Sequence, residues 1–408
     1  MNVLICHFRL PEPDTNSGDL RLVCILHELR KMGHRIYFIA GSGGDVACEV
    51  ALKQWVDHLV IDNDPAMSPR DMIKRLMLIA PLHVAIMAPY STFNRYDQTI
   101  RLISPQTVLI LDTIDIIQLR LWRCGMVDGN ADTLGEASVV AKSENDAIRE
   151  ADAVWVVSEV ELNLLQGVGK PVSVVSNIHT DSECLPEFTS TSGIVFLGGY
   201  KHVPNVDAVL IFHHKILPIL RSIMGQIDVT YAGSFPPPEI VALNAPESGI
   251  NVTGFVEDHR SLLQKHRVAI APLRYGAGIK GKVGEYMACG VPCVLTTIAA
   301  EGFSIKDGVH AEIADTAEMF AERIARLYND ANHWRQIQHA AADYVEAFMS
   351  PRAVRSSLEC ALRQAMFSFK LCHSLPYRIA MRMVRPWRKK WQGIVLHDLC
   401  VDKGAPLS

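Results

Sequence analysis

Apolar positions change their period twice within the first forty residues. Val3-Leu4-Ile5-Cys6 is a continuous apolar run of strand length, whereas Leu22, Ile25, Leu26 and Leu29 recur at i, i+3, i+4 and i+7, the spacing of one helical face. Arg35–Ala40 is apolar again after its first residue. The pattern predicts a strand over Val3–Cys6, a Pro/Asp/Asn/Ser/Gly loop through Gly18, a helix over about Asp19–Met32 ended by Gly33, and a strand over Arg35–Ala40. Strand, helix, strand in that order implies a parallel βαβ unit. The alternation goes on with strands expected near Val60 and over His83–Met87, Val108–Leu111, Ala153–Val157 and Pro171–Val175.

A polar, irregular stretch over 178–193 reads as a linker, and a second set of elements follows it. Strands are expected at Ile194–Leu197, Ile227–Ala232, Gly249–Val252, Val268–Pro272 and Pro292–Thr296. Helices are expected at Asn205–Leu220, opened by Pro204-Asn205 and closed near Pro218, and at 280–289, Thr316–Tyr328 and Ala331–Phe348. The chain is thus α/β, with two Rossmann-like halves in tandem at 1–185 and 190–350, and a closing helix with a basic tail over 351–408.

Length agrees with that division: 408 residues suit two domains rather than one core. Hydrophobic residues at 49% against 21% charged describe a folded chain. The net charge of -4 gives no global attraction to nucleic acid, so any anion site has to be local. The ten cysteines include no C-x-x-C pair, and Met1–Cys6 reads as a first strand rather than a leader, so free thiols in a reducing cytoplasm are expected. No apolar stretch reaches 18 residues, so no transmembrane helix is expected. The sixteen histidines form no H-x-E, H-E-x-x-H or paired Cys/His spacing, so no metal site is expected.

The segment VAIAPLRYGAGIKGKVGEYMACGVPCVLTTIAAEG, from Val268 to Gly302, carries the most chemistry. A buried strand runs into Arg274-Tyr275-Gly276-Ala277-Gly278-Ile279 and then a helix. Glycines there let backbone N–H groups approach a ligand, and a helix N-terminus favours anions. Lys280 and Lys282 fall in the first helical turn, where cations oppose the helix dipole and a phosphate would reverse that penalty. Arg274, Lys280 and the free N–H groups are therefore candidates for a diphosphate cradle. The plain alternative is a pair of lysines on a solvated helix face. Glu285, about one turn on, has two acceptor oxygens that suit the two hydroxyls of a ribose; its alternative is an i, i+3 surface pair with Lys282. Glu301-Gly302 follow the next strand, at the edge where ligands of parallel sheets bind.

RYGAGIKGKVGEYMACGVPCV and AAEG at this spacing resemble glycosyltransferase family 4, whose members adopt the GT-B fold, two Rossmann-like domains facing each other across a cleft. FLGGYKHVPNVDAV (Phe196–Val209) resembles the opening strand and helix of the nucleotide-binding half, GFVED (Gly254–Asp258) the loop that brackets the base, PEPDTNSGDLR (Pro11–Arg21) the glycine loop of the acceptor half, and DTIDIIQLR (Asp112–Arg120) its central strand-end motif. The resemblance covers about residues 3 to 350. It implies a glycosyltransferase of hexosyltransferase type that takes a nucleotide-diphosphate sugar as donor, with retention of configuration and no cofactor, acting on a glycan or lipid-linked acceptor in polysaccharide or glycoconjugate synthesis.

On that resemblance the donor is expected to meet Gly18, Gly199, His202, Gly254, Phe255, Val256, Arg274, Gly276, Ala277, Gly278, Ile279, Lys280 and Glu285. Asp115, Arg274 and Lys280 are the expected catalytic groups, and Arg21, Asp112 and Asp115 the acceptor side. Helix capping is the alternative role of Asp112 and Asp115, and a turn before a helix that of Gly18 and His202. The chain departs from the family at three places. Ala277 stands where many members have the first of two glutamates eight positions apart, Ile116-Ile117 stand where a histidine often follows, and Tyr200-Lys201-His202 replace the Arg and Lys that commonly follow the first strand of the second half. These departures keep two other readings open, a non-catalytic nucleotide-sugar-binding scaffold and a sugar-nucleotide epimerase on the same fold.

Lys370, Arg378, Arg382, Arg385, Arg388, Lys389 and Lys390, interleaved with Met381, Met383, Val384, Trp387 and Trp391, have the composition of a basic interfacial helix suited to anionic lipid. Its alternative is a closing helix with a solvated basic face.

Overall fold

Each half of the chain folds on its own parallel sheet, because its strands are apolar throughout and need cover on both faces. The computed structural model describes all residues except 15, 63–66, 181, 183, 374–392 and 395–408. The first sheet contains β1 (Asn2–His7), β2 (Arg35–Ala40), β3 (His58–Ile61), β4 (Val84–Ala88), β5 (Val108–Asp112), β6 (Ala153–Val156) and β7 (Val172–Val174), in the spatial order β3-β2-β1-β4-β5-β6-β7. The second contains β8 (Ile194–Leu197), β9 (Val229–Ala232), β10 (Ile250–Gly254), β11 (Val268–Ala271), β12 (Cys293–Leu295) and β13 (Glu312–Ile313), in the order β10-β9-β8-β11-β12-β13. All strand pairs are parallel. The order reverses between β1 and β4 in one sheet and between β8 and β11 in the other, and ligands of open parallel sheets bind outside such crossings.

The predicted apolar stripe of the first helix, Ser17–Lys31, is buried through Leu22, Ile25, Leu26 and Leu29. The helix Pro351–His373 packs Val354, Leu358, Leu362 and Phe369 into the same cluster, and Arg355 pairs with Glu28 of the first helix. A segment that follows the second half in sequence therefore completes the core of the first. Lys370 lies on this helix; the remaining basic residues of the expected lipid-binding tail lie outside the described residues. Among the described residues no helix is long and apolar enough to cross a membrane.

One expected boundary is corrected. The helix expected to close near Pro218 continues as Val203–Ile211, a π-helical turn over Phe212–Ile216, and Leu217–Met224. The Leu217 N–H bonds to the Phe212 carbonyl, five residues back, so the register has shifted before Pro218. The missing proline N–H then falls near the start of a new segment, where it costs little.

Candidate active site

The glycine loop after β11 is seated directly on two loops of the first half. Gly278 has φ +64, and a Cβ there would lie 3.1 Å from the Asp115 Cβ and 3.4 Å from the Ile114 carbonyl oxygen. A Cβ on Gly281, the first residue of the helix Gly281–Ala288, would come within 2.3 Å of the Ser17 Cβ. Gly18 in turn faces Ile114, with 3.3 Å between its Cβ position and Cγ2. The loops that end β1, β5 and β11 thus converge at the carboxyl edges of both sheets.

Ile114 sits at φ 62, a left-handed conformation that a β-branched side chain rarely adopts. Strain of this kind costs about 1–3 kcal/mol and persists only where the surroundings enforce it. Two buried carboxylates do so: Glu161 accepts from the N–H groups of Ile116 and Val157, and Glu144 from those of Ile117 and Gln118. Burial pushes Glu161 up to about 8 and Glu144 to about 7, against the lowering effect of those N–H donors, and the charge of Asp115 adds to both rises. Glu144, rather than Asp112 or Asp115, caps the helix Ile117–Asp128. Asp115 is left at the cleft, where its carboxylate accepts from Arg120 Nε at 2.8 Å.

The two basic residues expected to cradle phosphate are both paired. Arg274 donates from two nitrogens to Asp207 and lies 3.8 Å from Asp128 of the first half. Lys280 donates to the Gly278 carbonyl at 2.9 Å and lies 3.8 Å from Glu301. Glu301 is also gripped by both terminal nitrogens of Arg123, and Arg123 further donates to the Gly276 carbonyl at 2.7 Å. Ala277 and Ile279 are partly buried, each against an apolar surface. The Ala277 methyl packs against the apolar cluster of the first half and Ile279 against that of the second.

Lys282 is neither on a solvated face nor paired with Glu285. Its ammonium turns inward, donates to the Asn205 amide oxygen, and lies 4.1 Å from the centre of the Phe196 ring. Asn205 completes the link by donating to the Gly199 carbonyl at 2.7 Å. His202, at the start of the helix Val203–Ile211, is reached by solvent but enclosed by the cleft walls. This enclosure pushes its imidazole down to about 4, the positive charges of Arg120, Lys282 and Lys280 push the same way, and Asp115 opposes them. The imidazole is neutral at ordinary pH and lies in positive potential.

Glu285 is 7% exposed, and its carboxylate meets His179 Nδ1 at 3.1 Å, His259 Nε2 at 3.3 Å and Arg260 Nε at 2.9 Å. Burial would raise its carboxyl, but the hydrogen bonds to the two histidines and the charges of His179 and Arg260 outweigh this and hold it far below the usual range. It is an ionised acceptor with protein donors at both oxygens. Gly254 ends β10 at φ +68 and accepts from the Gly233 N–H, and beyond it the Phe255 ring is 55% exposed and Val256 partly buried. On the other wall, Arg21 and Asp112 are each 2% exposed and bonded at 2.7 Å, with Arg21 also holding the Val175 carbonyl. They brace the first half and offer little to an acceptor, which leaves Asp115, its side chain 21% exposed, as the accessible carboxylate of that set.

Sequence reasoning thus passed over Arg120, Arg123, His179, His259, Arg260 and the inward turn of Lys282. One signal was available for the last: Lys282 and Tyr286 are four apart on one helix, and Tyr286 is buried with its hydroxyl on the Leu197 N–H and the Ile270 carbonyl. Contacts such as Arg123 with Glu301, 178 residues apart, leave no local trace. Among the described residues no set of three His, Cys, Asp or Glu side chains converges to hold a metal ion.

Residues 191–330 match the model of the family described as Glycosyl transferases group 1. No curated protein sequence matches the chain. Solved structures similar to it include sucrose-phosphate synthase from Thermosynechococcus elongatus, at TM-score 0.67 and 12% identity over 90% of this chain and 100% of that one. Anabaena HepE in complex with UDP is similar at TM-score 0.67 and 11% identity, over 89% and 100%. The pneumococcal O-GlcNAc transferase GtfA, in complex with UDP and GlcNAc, is similar at TM-score 0.64 and 8% identity, over 90% and 99%. At these identities the likeness shows the fold, which is GT-B.

Proposed function

Because the chain has the GT-B glycosyltransferase fold, with a Glycosyl transferases group 1 domain over residues 191–330, we propose that it transfers a glycosyl group, of hexosyl type, from a nucleoside-diphosphate sugar to an acceptor hydroxyl. The observation that carries this reading is the seating of the 276–281 loop and the following helix N-terminus on Asp115 and Ser17, with His202 beside them in positive potential. Two of the similar structures hold UDP in the same fold, which supports a nucleotide donor.

In this reading the leaving diphosphate meets the N–H groups at the N-terminus of the helix that starts at Gly281. Those groups and the surrounding cations stabilise the charge that develops as the glycosidic bond breaks. Neutral His202 and the carbonyl-rich Gly199 turn face the sugar, with Gly18 admitting close approach from the other wall. Glu285 accepts from the ribose hydroxyls, and the Gly254–Phe255–Val256 backbone brackets the base. Asp115 orients the acceptor hydroxyl, and Glu144 and Glu161 fix its loop. Arg274 and Lys280 act by holding the loop that carries the N–H groups: Arg274 through Asp207, Lys280 through Gly278 and Glu301. The reading includes retention of configuration, no metal or other cofactor, and a glycan or lipid-linked acceptor in polysaccharide or glycoconjugate synthesis at the cytoplasmic side of a membrane.

The test is incubation of the purified protein with UDP-, GDP- and ADP-sugars, with and without glycan or lipid-linked hydroxyl acceptors. Release of nucleoside diphosphate that depends on acceptor supports transfer. Ala277, which lacks the carboxylate of many relatives, motivates the second reading, a nucleotide-sugar-binding scaffold. Saturable binding without turnover across the acceptor panel would favour that one. A new epimer formed without acceptor would overturn both.

A further inference from the structure

The cations described above at the glycine loop have carboxylate partners. Arg120 has Asp115, Arg123 and Lys280 share Glu301, and Arg274 has Asp207. Lys282 is different: no carboxylate pairs with it among the described residues, and its contacts are the Asn205 amide oxygen and the face of Phe196. Its position follows from the helix Gly281–Ala288. The Tyr286 hydroxyl, one turn later on the same face, bridges the Leu197 N–H and the Ile270 carbonyl. That anchor fixes the helix face over the β8–β11 crossing and aims Lys282 at the loop after β8. A Cβ on Gly198 would lie 2.8 Å from the ammonium nitrogen and from the Asn205 amide nitrogen, so the two side chains lie against this backbone.

We propose that Lys282 is the principal cation for the diphosphate of the donor, supplied by the helix after the glycine loop. The proposal rests on the donor reading above. An ammonium has three N–H donors; Asn205 takes one and the Phe196 face satisfies part of the charge, so capacity remains for a phosphate oxygen. Lys282 also lowers the imidazole of His202, a residue reached by solvent on the loop that its ammonium faces. Holding an ammonium out of water without a counter-charge costs free energy in the empty protein. Burial accordingly pushes it down to about 7. A diphosphate would remove that cost, whereas a lysine present only to shape the core would be better replaced by an apolar side chain of similar length.

The experiment compares the full-length protein with its Lys282→Met and Lys282→Arg variants. Calorimetric titrations use UDP, GDP and ADP, and the free nucleoside of whichever diphosphate binds the wild type, and thermal unfolding is measured without ligand. Loss of one charge-assisted contact predicts diphosphate affinity lower by about 10- to 100-fold in Lys282→Met. Nucleoside affinity should be unchanged, ligand-free thermal stability equal or higher, and affinity partly kept in Lys282→Arg. Wild-type affinity for the diphosphate in Lys282→Met would overturn the assignment alone. So would a lower ligand-free stability with nucleoside and diphosphate weakened alike, the mark of a structural lysine. Should Lys282→Met not fold, Lys282→Gln carries the same comparison. Absence of binding by the wild type to all three diphosphates would overturn the donor reading, and this assignment with it.

Discussion

Arg123 of the first half and Glu301 of the second form a two-pronged ion pair across 178 residues of sequence. The two side chains are 15% and 5% exposed, and the same guanidinium holds the Gly276 carbonyl. It is a clasp between the halves at the edge of the candidate site. Removing one partner leaves the other charge buried, which costs more than the pair contributes. Arg123→Ala is expected to lower stability by about 1–3 kcal/mol, the upper figure for buried pairs being discounted for partial solvent access. Turnover should fall further than donor affinity, because the glycine loop loses its hold on the first half. Denaturant unfolding and steady-state kinetics check this. The exchanged pair Arg123→Glu with Glu301→Arg should recover part of the loss, and an unchanged midpoint in Arg123→Ala would remove the clasp.

The two-sheet architecture was legible because its cause is local. Runs such as Val3–Cys6 and Val268–Ala271 are apolar on both faces, and the helical stripe from Leu22 to Leu29 has one period only. The loop at 274–280 and the helix after it were legible because glycines before a helix have few other uses. What escaped was set by partners distant in sequence. Arg274 and Lys280 have the right chemistry for phosphate, but Asp207 and Glu301, which engage them, come from other elements. Lys282 looks like a surface residue in the linear pattern, and only the seating of Tyr286 against β8 and β11 turns it inward. Asp112 and Arg21 carry suitable charges, and their mutual burial is a tertiary fact.

Gly278 makes the contact between the halves possible. At φ +64 an alanine costs about 1–2 kcal/mol in backbone conformation, and its methyl would also press on Asp115 at 3.1 Å. Gly278→Ala is expected to lose at least that much stability and to displace Asp115 from its Arg120 contact. Turnover should drop more than donor affinity. Equal thermal midpoints for variant and wild type would show that the loop relaxes freely and that the contact is loose.

Glu285 offers a pH test. Burial raises its carboxyl, but His179, His259 and Arg260 more than reverse that, so the folded value lies below the ordinary 4.5. The unfolded chain therefore takes up a proton first as pH falls. The stability that ionised Glu285 contributes is fully present above about pH 4.5 and is lost as pH drops below it toward the folded value. Glu285→Gln cannot titrate and is expected to lose less stability over that acid range, although it is weaker at neutral pH because Arg260 and His179 lose their counter-charge. Urea midpoints measured from about pH 6 to about pH 3 separate the two curves. The same variant should weaken binding of nucleoside and nucleoside diphosphate alike if the carboxylate holds the ribose.

Lys282 predicts opposite pH trends for binding and for stability. Its ammonium titrates at about 7 in the empty protein, against an ordinary 10.5, because burial disfavours the charge. Below about pH 7 the charge is already in place and diphosphate binding needs no proton. Above it, binding requires uptake of one proton, so affinity should fall by up to about tenfold per pH unit until the ammonium of the complex itself begins to titrate. Stability runs the other way: between pH 7 and 10.5 the unfolded chain holds the proton that the folded chain has shed, so the Lys282 contribution rises with pH. The other charged groups at this end of the cleft are Arg120 and Asp115, His202 and Lys280. His202 is already neutral above its value of about 4, and Arg120 is held charged by Asp115. Titrations of a nucleotide sugar, whose diphosphate has no terminal group ionising in this range, from about pH 7 to about pH 9 should show the fall in the wild type and its absence in Lys282→Met. A wild-type affinity that stays flat across that interval would mean that the ammonium does not meet the diphosphate.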